Sequence, residues 1–346
     1  MRRVPLIVIF AGAVALAMGI TIALFIGQTI DRNNAVDERR AALAALRTAV
    51  SAAQVPLGEA VELDALAGDP LLPADPAALV DAEGLELEAA TSDADALLAI
   101  DADGLGTPEL RELTADLRDA TDAVRAETDD LETALGELVA AVTAASADVD
   151  AAAFDANNAP RIAFRTAVAD LALAVDDQIG EQVTAYVDAA RGLEASHAAE
   201  LAEKAGPLFD ARMAVQQFAR SLSGGVLLEF DWAPTVNGYG LNGSYGGTSY
   251  WTTADGGQST VTLSDSVARQ WPSAGVQALV VHEVGHAVLA RLDCNELFFE
   301  SDLYPGEEES WATAWAIGMG YTADGSGETV YGRPSDALIA LSQQCR

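Results

Sequence analysis

Basic residues are scarce in this chain: 19 Lys and Arg stand against 53 Asp and Glu in 346 residues, for a formal net charge of −34. That deficit argues against nucleic acid or an anionic headgroup surface as a partner, and a solvated, self-repelling exterior is the simplest account of it. Lysine is nearly missing. Lys204 alone interrupts an all-arginine basic set, which reads as compositional bias. Cysteine is limited to Cys294 and Cys345, so at most one internal disulfide is available. Histidine is limited to His197, His282 and His286, and any imidazole ligand set must be drawn from these. Much of the 50% hydrophobic content is alanine, which buries little per residue, yet the length suffices for two or three domains. No internal repeat is visible beyond a heptad.

Charge is also missing from residues 4–27, VPLIVIFAGAVALAMGITIALFIG. As a helix this stretch is about 36 Å long, enough to cross a hydrocarbon core of roughly 30 Å. The sequence therefore predicts a transmembrane anchor within residues 1–30. Arg2 and Arg3 keep the short N-terminal end cytoplasmic, which makes the rest extracytoplasmic on a single-pass cell-membrane protein. Arg32, Arg39 and Arg40 weaken this asymmetry, although Asp31, Asp37 and Glu38 lie among them. A cleaved signal peptide is the rival, but the only small-x-small triplets lie inside the apolar core rather than after it. In an exported chain the two cysteines predict a Cys294–Cys345 disulfide, worth roughly 4 kcal/mol in the chain-entropy model. Unpaired thiols or a soft metal site are the alternatives.

Residues 31–222 read as an α-helical stalk or bundle. Val36, Leu43 and Val50 recur at seven in a helix that Pro56 should end. Glycines and prolines break residues 55–108 into short helices, the best between about Leu85 and Ile100. From Pro108 to Ala153 a heptad runs through Leu110, Leu117, Val124, Leu131 and Leu138, with Thr107 as a cap. After a break at 155–160 a second long helix should continue to about Ala205, folding back as an antiparallel hairpin. The heptad seam offers a coiled-coil contact for a homo-oligomer. His197, alone on its helix, reads as a packed or solvated side chain.

At Ser223-Gly224-Gly225 the composition changes, and residues 223–346 form a separate domain. VLLEFDW, TSYWTT and STVTLSD, with turn signals Asn237-Gly238, Asn242-Gly243 and Gly246-Gly247, predict a small, mostly antiparallel sheet. A helix capped by Ser273 follows. In it His282 and His286 lie i, i+4, roughly 40° apart on one face, where both imidazoles can bind one metal ion. Glu283 sits at the rim of that face, in reach of a metal-bound water as general base. Val276, Val280, Val284 and Val288 form an opposite, buried row, and Gly285 leaves room for another segment to approach.

HEVGHAV on a helix after a small sheet resembles the zincin metallopeptidases, whose signature is H-E-x-x-H. The resemblance covers roughly the last 120 residues. It implies a mainly α chain with a C-terminal α+β, zincin-like domain. It also implies Zn2+ as cofactor and a protein or peptide substrate. Leu289 and Leu292 stand where a metzincin would place Gly and His, so that branch does not fit. The gluzincin branch takes a glutamate from a following helix. Glu309 in PGEEESWATAWAIGMG, with Ala312 and Ala316 on its face, resembles that helix; Glu308 and the more remote Asp324 are the alternatives. An oxyanion-stabilising group is implied, with Tyr304, Tyr321 and Tyr331 available and Tyr331 preferred. The strand STVTLSD is expected to present a sheet edge to the substrate. A helical sensor or tether carrying a zinc-binding, non-catalytic domain is the competing expectation.

Overall fold

A computed structural model describes the backbone of residues 6–346 and the side chains from residue 18 onward. The chain divides into two compact units: the residues up to Ala145 with Asp170–Ala185, and Ser146–Ala169 with Tyr186–Arg346.

The first unit is built on helices α1 (Leu6–Asp64), α2 (Ala74–Leu98) and most of α3 (Thr107–Ala152). The heptad residues Leu110, Leu117, Val124, Leu131 and Leu138 are buried within the chain itself, so a homo-oligomer would need another surface. Thr114, Thr121 and Thr128 are buried beside this row. Each donates its hydroxyl to the carbonyl four residues earlier, at 2.6 Å, which keeps a polar atom satisfied in an apolar seam.

Three helical expectations need correction. α1 does not end at Pro56 but runs through it to Asp64. The proline ring is buried, and packing offsets the one intrahelical bond that it cannot make. In place of the short helices expected over residues 55–108 stand the end of α1 and one 25-residue helix, α2. The second long helix is split into α4 (Asn158–Ala172) and α5 (Ile179–Glu203). At the break Leu173 and Val175 are exposed, and the free N–H of Gly180 is taken by the buried Glu59 of α1. Burial raises the Glu59 carboxyl above its ordinary pKa, against the lowering effect of that bond.

The predicted anchor, residues 4–27, falls largely outside the residues whose side chains are described. Among the described residues no helix is long and apolar enough to cross a membrane.

The second unit extends N-terminally beyond the composition change at Ser223. An ionic network accounts for this. Asp155, fully buried, accepts from Lys204 at 2.9 Å and from Arg220 of α6 (Phe209–Leu222) at 2.9 Å, while Lys204 also meets Glu200 at 2.8 Å. Asn158 ties the same segment to Glu229 and to the Ser259 carbonyl. His197 packs edge-on against Phe154 and accepts the Asp155 N–H.

The sheet of this unit has strands β1 (Leu227–Ala233), β2 (Gly247–Thr252) and β3 (Gln258–Ser264) in the order β1-β3-β2. β3 pairs parallel to β1 and antiparallel to β2, so the sheet is mixed rather than mostly antiparallel. The Asn-Gly turn signals fall in the loop between β1 and β2. Asn237 and Gly238 both take positive φ inside a turn closed by reciprocal Val236–Tyr239 bonds. A long loop carries β2 past the site that β3 later fills. β3 therefore has both edges occupied and cannot pair with a substrate, contrary to expectation; β2 is the edge beside the histidine helix.

After a short helix α7 (Asp265–Gln270), the histidine helix α8 (Ala274–Val288) lies at the centre of the unit. Val276, Val280, Val284 and Val288 are all fully buried, in a cluster with Phe230, Val261 and Leu263 of the sheet. α9 (Leu292–Phe299) and α10 (Glu309–Gly318) follow, the latter with Trp311 and Trp315 fully buried. Short helices α11 (Glu328–Tyr331) and α12 (Asp336–Ser342) complete the unit. Cys294 and Cys345 form a disulfide with Cα atoms 5.7 Å apart, tying α9 to the C-terminus.

Candidate metal centre

Two histidines one helical turn apart set the position of the centre, and a close helix crossing brings the third donor. Gly285 lies between them on α8. A Cβ there would stand 3.0 Å from Ala312 Cα and 3.1 Å from its carbonyl oxygen. Only a glycine facing a small residue permits this approach. Trp311 Nε1 donates to the Gly285 carbonyl at 3.0 Å and fixes the same crossing.

The first residue of α10 then faces the imidazoles. Glu309 Oε2 lies 3.0 Å from His282 Nε2 and 3.2 Å from His286 Nε2. The donor atoms of all three residues fall within 4.8 Å of one another. Of the sequence alternatives, Glu308 accepts Trp251 Nε1 at 3.0 Å and so faces β2, and Asp324 is exposed, meeting Tyr245 only through its backbone carbonyl. Comparison with protein-family models, curated proteins and solved structures finds no match to this chain.

His282 Nδ1 lies 3.1 Å from the Ser326 carbonyl, an acceptor only, which assigns the ring proton to Nδ1. The Nε2 of a neutral His282 then turns a lone pair toward a carboxylate oxygen. Two acceptors 3.0 Å apart require a cation between them, a proton or a metal ion. With protein atoms alone, burial works against the Glu309 charge, but hydrogen bonds from His282 and His286 outweigh it and hold the carboxyl well below the usual range. Burial likewise works to lower His286, and the Glu309 bond with the neighbouring carboxylates raises it instead. Two nitrogens and one carboxylate oxygen are a donor set suited to zinc.

Glu283 stands apart from this triad. It is 4% exposed, and its Oε2 is buried without a hydrogen-bond partner. Burial raises its pKa, only partly countered by His282 and His286. Tyr331 stacks on the His282 ring at 5.8 Å between centroids and 8° between planes. Burial first, and then the Glu309 carboxylate, push its phenol up to about 12. Tyr304 packs against Phe298 and Phe299, and Tyr321 against Phe218.

Sequence reasoning missed three supports. The Ser326 carbonyl orients His282, but no spacing rule links a turn 44 residues downstream to that ring. Gly327 has φ +93°, and a Cβ there would stand 2.8 Å from the His282 ring. Gly247 admits Glu283, since a Cβ would stand 2.7 Å from Glu283 Cγ; the Gly246-Gly247 pair was legible only as a turn.

Proposed function

We propose that this chain is a zinc-dependent endopeptidase, tethered to the cell membrane by residues 4–27 with the second unit on the extracytoplasmic side. The observation that carries the reading is the convergence of His282, His286 and Glu309 beside a buried glutamate that has an unpartnered oxygen. His282 Nε2, His286 Nε2 and Glu309 Oε2 would hold the ion. Zinc bound there would acidify a water and polarise a carbonyl. Glu283 Oε2 takes a proton from the attacking water and delivers it to the leaving amine. The C–N bond breaks, the water oxygen joins the acyl carbon, and a carboxylate and an amine leave. A glutamate whose pKa is already raised by burial is suited to carrying that proton. Tyr331, held protonated beside His282, donates its hydroxyl to the carbonyl oxygen as negative charge develops. The uncharged run at residues 4–27 and the Cys294–Cys345 disulfide support the location, since a stable disulfide suits an oxidising compartment.

The test is the metal content of protein purified without chelator, wild type beside Glu309→Ala and Glu308→Ala. One zinc per wild-type chain, lost in Glu309→Ala and kept in Glu308→Ala, is expected. Zinc retained in Glu309→Ala removes the third ligand from the account. A zinc-loaded wild type that cuts no peptide would favour a non-catalytic zinc-binding ectodomain instead.

A further inference from the structure

The proposed centre opens onto two cavities of opposite character. One, of about 360 Å³, is bordered by Tyr239, Tyr245, Leu279, Val330 and Tyr331, with no charged side chain apart from the centre's own His282 and Glu283. Tyr239, Val330 and Tyr331 are 53%, 69% and 49% exposed, so large apolar surfaces stand uncovered at its rim. The other, of about 350 Å³, is bordered by Glu307 and Glu308 with Thr248 and Ser249. Between Leu292 and Glu309 the chain carries six acids and no base.

The two cavities share Asn237, Gly247, His282, Glu283 and Tyr331, and so meet at the reacting position. Gly247, which has no side chain, lies directly against Glu283 where they meet. Acids in a row would not by themselves make a site. Glu283 borders both cavities, and its buried, unpartnered Oε2 is the independent sign that a ligand belongs there.

Resting on the hydrolase reading above, we propose that the substrate is a peptide with a large apolar residue on one side of the cleaved bond and Lys or Arg on the other. The apolar side chain fills the tyrosine-lined cavity, and its burial supplies affinity. The basic side chain enters the cavity of Glu307 and Glu308, and the net negative charge of the whole chain adds steering toward cationic segments.

Labelled peptides with Phe-Lys, Lys-Phe, Phe-Glu, Glu-Phe, Ala-Lys or Lys-Ala at the centre of one neutral frame separate the alternatives. Binding to the zinc-loaded full-length Glu283→Gln variant is followed by fluorescence anisotropy, and cleavage by the wild type by mass spectrometry. A Phe/Lys peptide, in one of its two orders, should bind at least about tenfold more tightly than its Phe/Glu and Ala/Lys counterparts. Glu307→Lys should reduce the Lys-over-Glu advantage about five- to tenfold at low salt and leave the Phe-over-Ala advantage in place. Equal binding of all six, or a Lys preference unmoved by Glu307→Lys, overturns the inference while any cleavage leaves the hydrolase reading standing. The predicted order of binding without cleavage by the wild type supports the peptide class and overturns the hydrolase reading instead.

Discussion

Replacing Gly285 with alanine should loosen the centre without touching a ligand. The new Cβ meets Ala312 Cα at 3.0 Å and the Ala312 carbonyl oxygen at 3.1 Å, both backbone atoms of α10. Ordinary contact begins some tenths of an ångström further out, so α10 must move away from α8 by about half an ångström. Overpacking of this kind costs about 1–3 kcal/mol, while Gly→Ala inside a helix returns about 1 kcal/mol. The net loss of stability is therefore about 0–2 kcal/mol, small enough for the fold to survive. Glu309 is the first residue of α10 and moves with it. A carboxylate displaced by that distance should weaken zinc about 10–100-fold, the range seen when groups that support ligands are lost. Competition with a chromophoric chelator measures the affinity, and thermal unfolding by circular dichroism measures the fold. Gly136→Ala is the control, since a Cβ there meets nothing within 4 Å; it should stabilise by about 0.5–1 kcal/mol and leave zinc binding unchanged. A folded Gly285→Ala protein that binds zinc within twofold of wild type would refute the argument that this crossing places Glu309.

Other substitutions test the packing. Lys204→Ala leaves Asp155, fully buried, short of one cation and should cost about 3–5 kcal/mol in chemical denaturation; a loss under 1 kcal/mol would show that Arg220 alone neutralises it. Cys294→Ser should lower stability by about 4 kcal/mol, read as a drop in the urea midpoint, with the same value in Cys345→Ser and in the double variant if both act only through the disulfide. Glu59 supplies a pH test. Its folded pKa is raised, so the protonated form is favoured on folding, and its contribution is present below the unfolded carboxyl value and lost as pH rises through the folded one. Glu59→Gln should therefore lose less stability than wild type between pH 4 and pH 7, and an unchanged difference between the two midpoints would contradict the assignment.

The parts of this molecule legible in its sequence are those governed by local periodicity. The valine row of α8 and the small-residue face after Glu309 both specify a face, and a face is what a helix period encodes. The heptad from Leu110 to Leu138 was legible for the same reason. Strand order was not. Alternation in STVTLSD reveals which side chains turn inward, but not that β3 lies between β1 and β2. Pro56 misled because its breaking tendency was judged without the interior packing that absorbs it. Lys204 is illegible in the sequence because Asp155, 49 residues away, joins it and Glu200 in a buried network only through tertiary packing. Ser326 and Gly327 form part of the histidine environment through tertiary contact alone.

The central claim is that Glu283 moves the proton while His282, His286 and Glu309 hold the metal. It is tested most directly by zinc content and peptide hydrolysis measured side by side on full-length wild type and Glu283→Gln. One zinc per chain is expected in both proteins, with hydrolysis in the wild type and a loss of at least about a hundredfold in the variant. Equal turnover in Glu283→Gln, or a wild type that cleaves peptides without binding zinc, would contradict it.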